Sequence, residues 1–130
     1  MKGDSNGMQV NLAVATTGQK GEALAAAHLQ QRGYHIVCTN WRCTRGEIDI
    51  IARDGETLVF VEVRTRHADS TAEAFESVNT RKQSRMQNAV HLYLTEQGLE
   101  DAGWRIDVIA VAIPRYGKPL IEQVEDALDW

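Results

Sequence analysis

Between Gly46 and Arg66 two alternating runs, rich in Ile and Val, flank the pair Asp54-Gly55. That pair tolerates the positive φ values of a two-residue type I′ turn, so the pattern predicts a β-hairpin. With Arg53 paired to Glu56, one face carries Ile48, Ile50, Val59, Val61 and Val63, which reads as core. The other face carries Glu47, Asp49, Ile51, Phe60, Glu62, Arg64 and Arg66. Asp49 then lies opposite Phe60 and diagonal to Glu62 at roughly 7–8 Å, or directly opposite Glu62 if the turn is longer by two residues. Acids held together on a half-apolar face repel one another and resist desolvation, and a hard divalent cation such as Mg²⁺ is a fitting counter-ion. The competing account is the solvated face of an edge hairpin, against which Phe60 and Ile51 speak.

Elsewhere the apolar period is helical or absent. Residues 1–16 have no periodicity and are expected to form a flexible N-terminal tail, with a single domain over 17–130. Thr17 is placed to cap a helix over Gly18 to Arg32, stopped by Gly33. Glu22, Ala25, Ala26 and Leu29 share one face of it, an unusual place for an acid. Tyr34 to Thr39 suits a strand, Asn40 to Arg45 a polar, cationic approach to the hairpin, and His67 to Ala74 a loop. Phe75, Val78, Lys82, Met86, Ala89 and Tyr93 fall at helical spacing and predict a long helix over Ser77 to Glu96. Trp104 to Ile113 is apolar on both faces and reads as a buried strand interrupted by Asp107. Pro119 to Val124 suits an edge strand. The order gives an α/β fold, a mixed central sheet of four to five strands flanked by helices.

Composition narrows this little. The 130 residues, 43% hydrophobic, suit one packed core. No run approaches the roughly 18–20 apolar residues of a membrane span, and no secretory signal core is evident, so a cytoplasmic protein without membrane partners is expected. Cys38 and Cys43 lack a second ligand pair at zinc spacing, so reduced thiols are expected. The net charge of −4 argues against a generally basic coat. It leaves room for a local one, since Arg42, Arg45, Arg64, Arg66, Arg81, Lys82 and Arg85 fall near the hairpin or on the helix after it.

Asp49, then Glu62-Val63-Arg64 beyond the turn, resembles the Asp…(Asp/Glu)-x-Lys signature of the PD-(D/E)XK nuclease superfamily. Gly46-Glu47-Ile48-Asp49, preceded by Asn40-Trp41-Arg42, is closer to its Holliday-junction-resolvase branch. The pattern from Thr17 to Ala127 is most similar to the YraN-like family of small bacterial proteins. The resemblance implies a restriction-endonuclease-like fold. It implies Mg²⁺ or Mn²⁺ held by Asp49, Glu62, the Val63 carbonyl and Glu22, the position matching a first-helix glutamate of the resolvases. For Glu22 the alternative is a carboxylate favoured by the helix dipole.

The chain departs from the signature at Arg64, where the family has lysine. Arginine stays protonated, so Arg64 cannot serve as a general base, although it can hold a phosphate oxygen. Lys82 either snorkels or reaches the acids and supplies the missing ammonium. Arg42, Arg45, Arg66, Arg81 and Arg85 are candidate phosphate contacts, with solvated surface as the alternative. Glu47 is a candidate to orient a metal-bound water. Asp107 is a candidate support behind the ligands, or else a structural carboxylate paired with Arg105. The resulting expectation is a metal-dependent phosphodiesterase on nucleic acid, DNA ahead of RNA, with branched or single-stranded DNA as candidate substrates and a homodimer as a compatible assembly. Its alternatives are a catalytically weak or inactive nucleic-acid-binding or scaffold protein that keeps the fold, and a structural partner of another protein.

Overall fold

The computed structural model describes residues 15–127, so most of the expected N-terminal tail and residues 128–130 lie outside it. In chain order the elements are α1 (Thr17–Gln31), β1 (His35–Cys43), β2 (Gly46–Asp54), β3 (Thr57–Arg66), α2 (Ala72–Glu76), α3 (Thr80–Glu96), β4 (Trp104–Ala112) and β5 (Leu120–Val124). The five strands form one sheet in sequence order. Every neighbouring pair is antiparallel except β3 and β4, which run parallel and are joined through α2 and α3. This is the mixed α/β architecture the pattern predicts.

Helix α1 begins one residue before the expected start. Thr16, not Thr17, is the N-cap: its hydroxyl accepts from the Gln19 N–H at 3.1 Å, and the Gln19 side chain accepts from the Thr16 N–H at 2.9 Å. That reciprocal pair satisfies two amide donors that the first turn leaves free. The helix lays Ala25 and Leu29 on one sheet face, over Ile50, Val59, Val61 and Ile109. On the opposite face α3 packs Met86, Ala89, Val90 and Tyr93 over Ile51, Phe60 and Ile106. Covered on both sides, Leu58 to Val61 are almost completely buried, as a central strand requires. The edges of Tyr93 and Trp104 meet the Phe60 ring at 5.6 and 6.0 Å.

The hairpin register differs from the first alternative above. Asp54 pairs with Thr57 and Ile50 with Val61, so Gly55-Glu56 forms the turn. Only Gly55 takes a positive φ, 63°, as in a type II′ turn, which spares Asp54 the left-handed conformation that a type I′ turn imposes. Sliding the strands by two residues sets Ile51, not Asp49, opposite Phe60, and leaves Asp49 just beyond the last pair, Ile50 with Val61, on the side of Glu62.

Ile48 also departs from expectation. It packs with Ile51 and Phe60 rather than beside Ile50. The pairing of β2 with β3 stops at Ile50 and Val61, and Asn40 on the neighbouring strand has φ 53°, so the regular pleat does not carry through this point.

Three boundaries move. β1 continues through the supposed approach loop to Cys43, which pairs with Gly46. A short helix, α2, occupies the end of the expected loop, and α3 starts at Thr80, capped by Asn79. Among the described residues no helix is long and apolar enough to cross a membrane.

Candidate functional site

Parallel pairing brings the C-terminal end of β3 between the N-terminal ends of α1 and α3, which lie on opposite faces of the sheet. A groove of about 610 Å³ opens there, floored by Asp49, Glu62 and Val63 and flanked by Glu22, Arg64 and Lys82. Asp49 occupies the position just past the last paired residues of β2. Its Oδ2 accepts from the Val63 N–H at 2.8 Å, so the side chain takes over a donor on β3 beyond the ladder. Glu62 lines the groove beside it, and the two carboxyl groups are near enough to interact directly.

Two carboxyl groups that close cannot both ionise without cost. Burial, followed by repulsion from Glu62, pushes Asp49 up to about 8, against the Val63 hydrogen bond that favours its charge. Glu62 is raised as well, chiefly by burial, with Arg64 and Lys82 pulling the other way. Glu22 is raised by burial and by Glu47, while a hydrogen bond from Asn40 and the charge of Arg42 oppose this. The acids therefore feel one another across three elements.

Arg64 is held rather than free. Its Nε donates to Ser77 Oγ at 2.8 Å and its Nη1 to Glu62 Oε2 at 3.3 Å, with the Arg64 and Glu62 side chains 18% and 14% exposed. Ser77 Oγ donates in turn to the Ala74 carbonyl at 2.5 Å. The guanidinium keeps Nη2, with its two N–H groups, for a ligand. Lys82 is half-buried on the first turn of α3 and lines the groove, so the structure brings it to the acids.

The remaining sequence candidates divide. Arg66, Arg85 and Glu47 line the groove. Arg42 is exposed and pairs with Glu47 at 3.2 Å, and Arg45 and Arg81 are exposed outside the lining. Asp107 is not brought to the site. It is fully buried on the α1 side, where Arg105 Nε and Gln123 Nε2 donate to it at 3.0 and 2.8 Å and the Asp126 N–H at 3.0 Å. Of its two candidate roles the structural one matches this placement. Among the described residues no three His, Cys, Asp or Glu side chains stand together as a ready ion cage. Asp49 and Glu62 are the close pair, with Glu22 turned to Asn40.

Three features of the site escaped sequence reasoning. Thr17 Oγ1 meets His67 Nε2 at 2.9 Å across the rim, and Ser77 anchors Arg64. Both link residues far apart in sequence, and no local pattern signals them. The third is Gly21, where a Cβ would come within 1.8 Å of Thr65 Oγ1 and 2.8 Å of Thr65 Cβ. A glycine inside a helical pattern was its signal.

Fold and site together define a small mixed α/β protein with a half-buried acid pair, Asp49 on β2 and Glu62 on β3, in a groove at the end of its central strand. The chain belongs to the family described as uncharacterised protein family UPF0102, whose profile matches residues 21–111. This is the YraN-like family that the motifs resemble. A UPF0102 protein of Geotalea uraniireducens (strain Rf4) is 43% identical over 112 residues, covering 86% of this chain and 88% of the relative. One from Geobacter sulfurreducens has the same identity and coverage. A third, from Chloroflexus aurantiacus (strain ATCC 29366 / DSM 635 / J-10-fl), is 47% identical over 95 residues, 72% of this chain and 77% of the relative.

Proposed function

We propose that this protein is a divalent-metal-dependent phosphodiesterase acting on nucleic acid, with DNA ahead of RNA. The observation that carries the reading is the Asp49–Glu62 pair, two half-buried carboxyl groups that face one another at the end of β3 and are both driven toward their neutral forms. At neutral pH a pair so placed gains its full charge far more readily when a cation accompanies it. The donor set fits Mg²⁺ or Mn²⁺, since Asp49, Glu62 and the Val63 carbonyl offer hard oxygen atoms and these ions keep several waters of their own. When bound, such an ion supplies an acidified water and neutralises charge on the phosphoryl oxygens.

The protein's own groups do the rest. Arg64, fixed by Ser77 and Glu62, presents its free Nη2 to a phosphate oxygen, and Lys82 adds a point charge from the α3 side. Arg64 cannot take the proton of the attacking water, because it stays protonated. Glu22 lines the same groove, is close enough to Asp49 to raise its pKa, and is the residue to complete the ligand set. Hydrolysis joins the water oxygen to phosphorus and releases an alcohol and a phosphomonoester.

A second reading, nucleic-acid binding without cleavage, draws on the same arginine: its contacts suit holding a phosphate and leave the lysine of the signature without a like-for-like replacement at that position. The deciding experiment titrates Mg²⁺ and Mn²⁺ against labelled duplex, single-stranded and four-way-junction DNA, beside Asp49→Ala and Glu62→Ala. Metal-dependent cutting that both variants abolish is the expected result. Metal and DNA binding without cutting would select the second reading. No divalent-ion binding at all would return the acids to a structural role.

A further inference from the structure

We propose that the turn between β4 and β5, Arg115-Tyr116-Gly117-Lys118, is a contact for an unpaired nucleotide beside the groove, with Tyr116 stacking on the base and Arg115 and Lys118 meeting the flanking phosphates. The inference rests on the nucleic-acid reading above and adds to it the form of substrate that is recognised.

Tyr116 is 83% exposed, far more than any other large apolar side chain among the described residues. A phenol ring left in water at a turn has no packing role. The Arg115 guanidinium carbon lies 5.9 Å from the ring centroid, so a cation attends the ring while most of its surface stays open. Arg115 and Lys118 are both exposed, and the stretch from Val108 to Ile121 that carries them contains no carboxylate. In a chain of net charge −4 that is a local reversal of sign.

Its position follows from the topology. β3 and β4 run parallel with Arg66 beside Ala112, and the Ile113 N–H donates to the Arg66 carbonyl at 2.9 Å. The turn therefore leaves the sheet at the same end as the groove, next to Arg66 and His67, which line it. Only Pro114 and Arg115 lie between Ile113 and Tyr116, a span of at most about 11 Å. The groove lining has acids, cations and His67 but no Phe, Tyr or Trp. Phosphates are what such a lining reads, and bases that leave a duplex need an aromatic platform elsewhere. Tyr116 is the exposed ring at that end of the sheet.

The test is anisotropy of labelled single-stranded, splayed-arm and blunt duplex DNA with wild type, Tyr116→Ala, Tyr116→Trp and Arg115→Gln/Lys118→Gln. Expected is a loss of about tenfold for Tyr116→Ala on the single-stranded and splayed substrates, little change on blunt duplex, and retention by Tyr116→Trp. The double substitution should flatten the slope of log affinity against log salt on single strands by about 0.7 for each phosphate that is no longer neutralised. Wild-type binding that Tyr116→Ala leaves unchanged on every substrate would overturn this inference and leave the nucleic-acid reading standing. Absence of any wild-type binding would overturn both. Since Tyr116 is exposed, circular dichroism of the variants should match wild type.

Discussion

At the scale of single residues, the Asp49–Glu62 pair makes stability depend on pH in a direction opposite to that of an ordinary salt-bridged acid. Asp49 keeps its proton up to about 8, whereas the unfolded chain releases it in the usual carboxylate range. Between those limits the folded state binds more protons, so stability is greatest below the window and falls as pH rises through it. In EDTA, stability should decline from about pH 4 to about pH 8, at no more than about 1.4 kcal/mol per pH unit for one proton, and Tm should fall with it. Asp49→Asn should flatten that decline, because the amide does not titrate, while its oxygen can still accept from Val63. Added Mn²⁺ should raise Tm most at the alkaline end, where it meets an ionised pair. A pH-independent Tm in EDTA would mean that the pair is not strained by its own charge.

Arg64 offers a second prediction at this scale. Its Nε bond to Ser77 fixes which edge of the guanidinium faces the groove. Ser77→Ala should cost about 1 kcal/mol in urea unfolding and weaken DNA binding, with Ser77→Thr close to wild type. If Ser77→Ala binds DNA as wild type does, the serine anchor does not matter to presentation of Arg64.

At the scale of elements, the approach of α1 to β3 sets the width of the site, and Gly21 permits it. Helix propensity alone favours alanine there by about 1 kcal/mol. The contact with Thr65 outweighs that, since a methyl group would overlap both Oγ1 and the Thr65 Cβ, neither of which is the end of a long flexible chain. Gly21→Ala should therefore destabilise by about 1–3 kcal/mol, measured by urea unfolding, and by moving α1 it should also change the field of Glu22 at the acid pair. An unchanged or raised unfolding midpoint would show that the two elements separate at little cost.

The elements also show what can be read from sequence and what cannot. Ile and Val at alternate positions declared the hairpin, and Met86, Ala89 and Tyr93 at helical spacing declared α3, because burial acts on those patterns directly. Asp49 and Glu62 were legible as neighbours for the same reason. Their register was not, because Gly55 serves either turn type and only the backbone decides which. α2 spans five residues, too few to display a period. Asn40 to Cys43 looked like loop because its side chains are polar, yet its backbone amides pair with β2. The Ser77–Arg64 and Thr17–His67 bonds depend on tertiary placement and leave no local trace.

At the scale of the whole molecule, charge is sorted along the sheet. The exposed acids Asp54, Glu56, Glu96, Glu100 and Asp101 gather where β3 and β4 begin. Arg64, Arg66, Lys82 and Arg85 gather where β3 ends, with Arg115 and Lys118 beyond β4. Within the groove, however, those four cations face four carboxyl groups, Glu22, Glu47, Asp49 and Glu62. A polyanion entering this groove meets as much repulsion as attraction when the acids are ionised. One divalent ion shifts the balance by two charges, which couples ion binding to nucleic-acid binding. Linkage makes the coupling reciprocal: the factor by which Mg²⁺ tightens DNA binding equals the factor by which DNA tightens Mg²⁺ binding, with about 5–150-fold as the usual range. Anisotropy at about pH 8.5 and constant ionic strength should show affinity rising with Mg²⁺, and less so near pH 6, where Asp49 carries its own proton and the groove is already less negative. Asp49→Asn/Glu62→Gln should bind DNA without Mg²⁺ about as well as wild type does with it, while losing both the ion response and the pH response. Equal DNA affinity in EDTA and in saturating Mg²⁺ for the wild type would separate the acid pair from nucleic-acid recognition, since an ion seated between those carboxylates cannot leave the charge facing the phosphates unchanged.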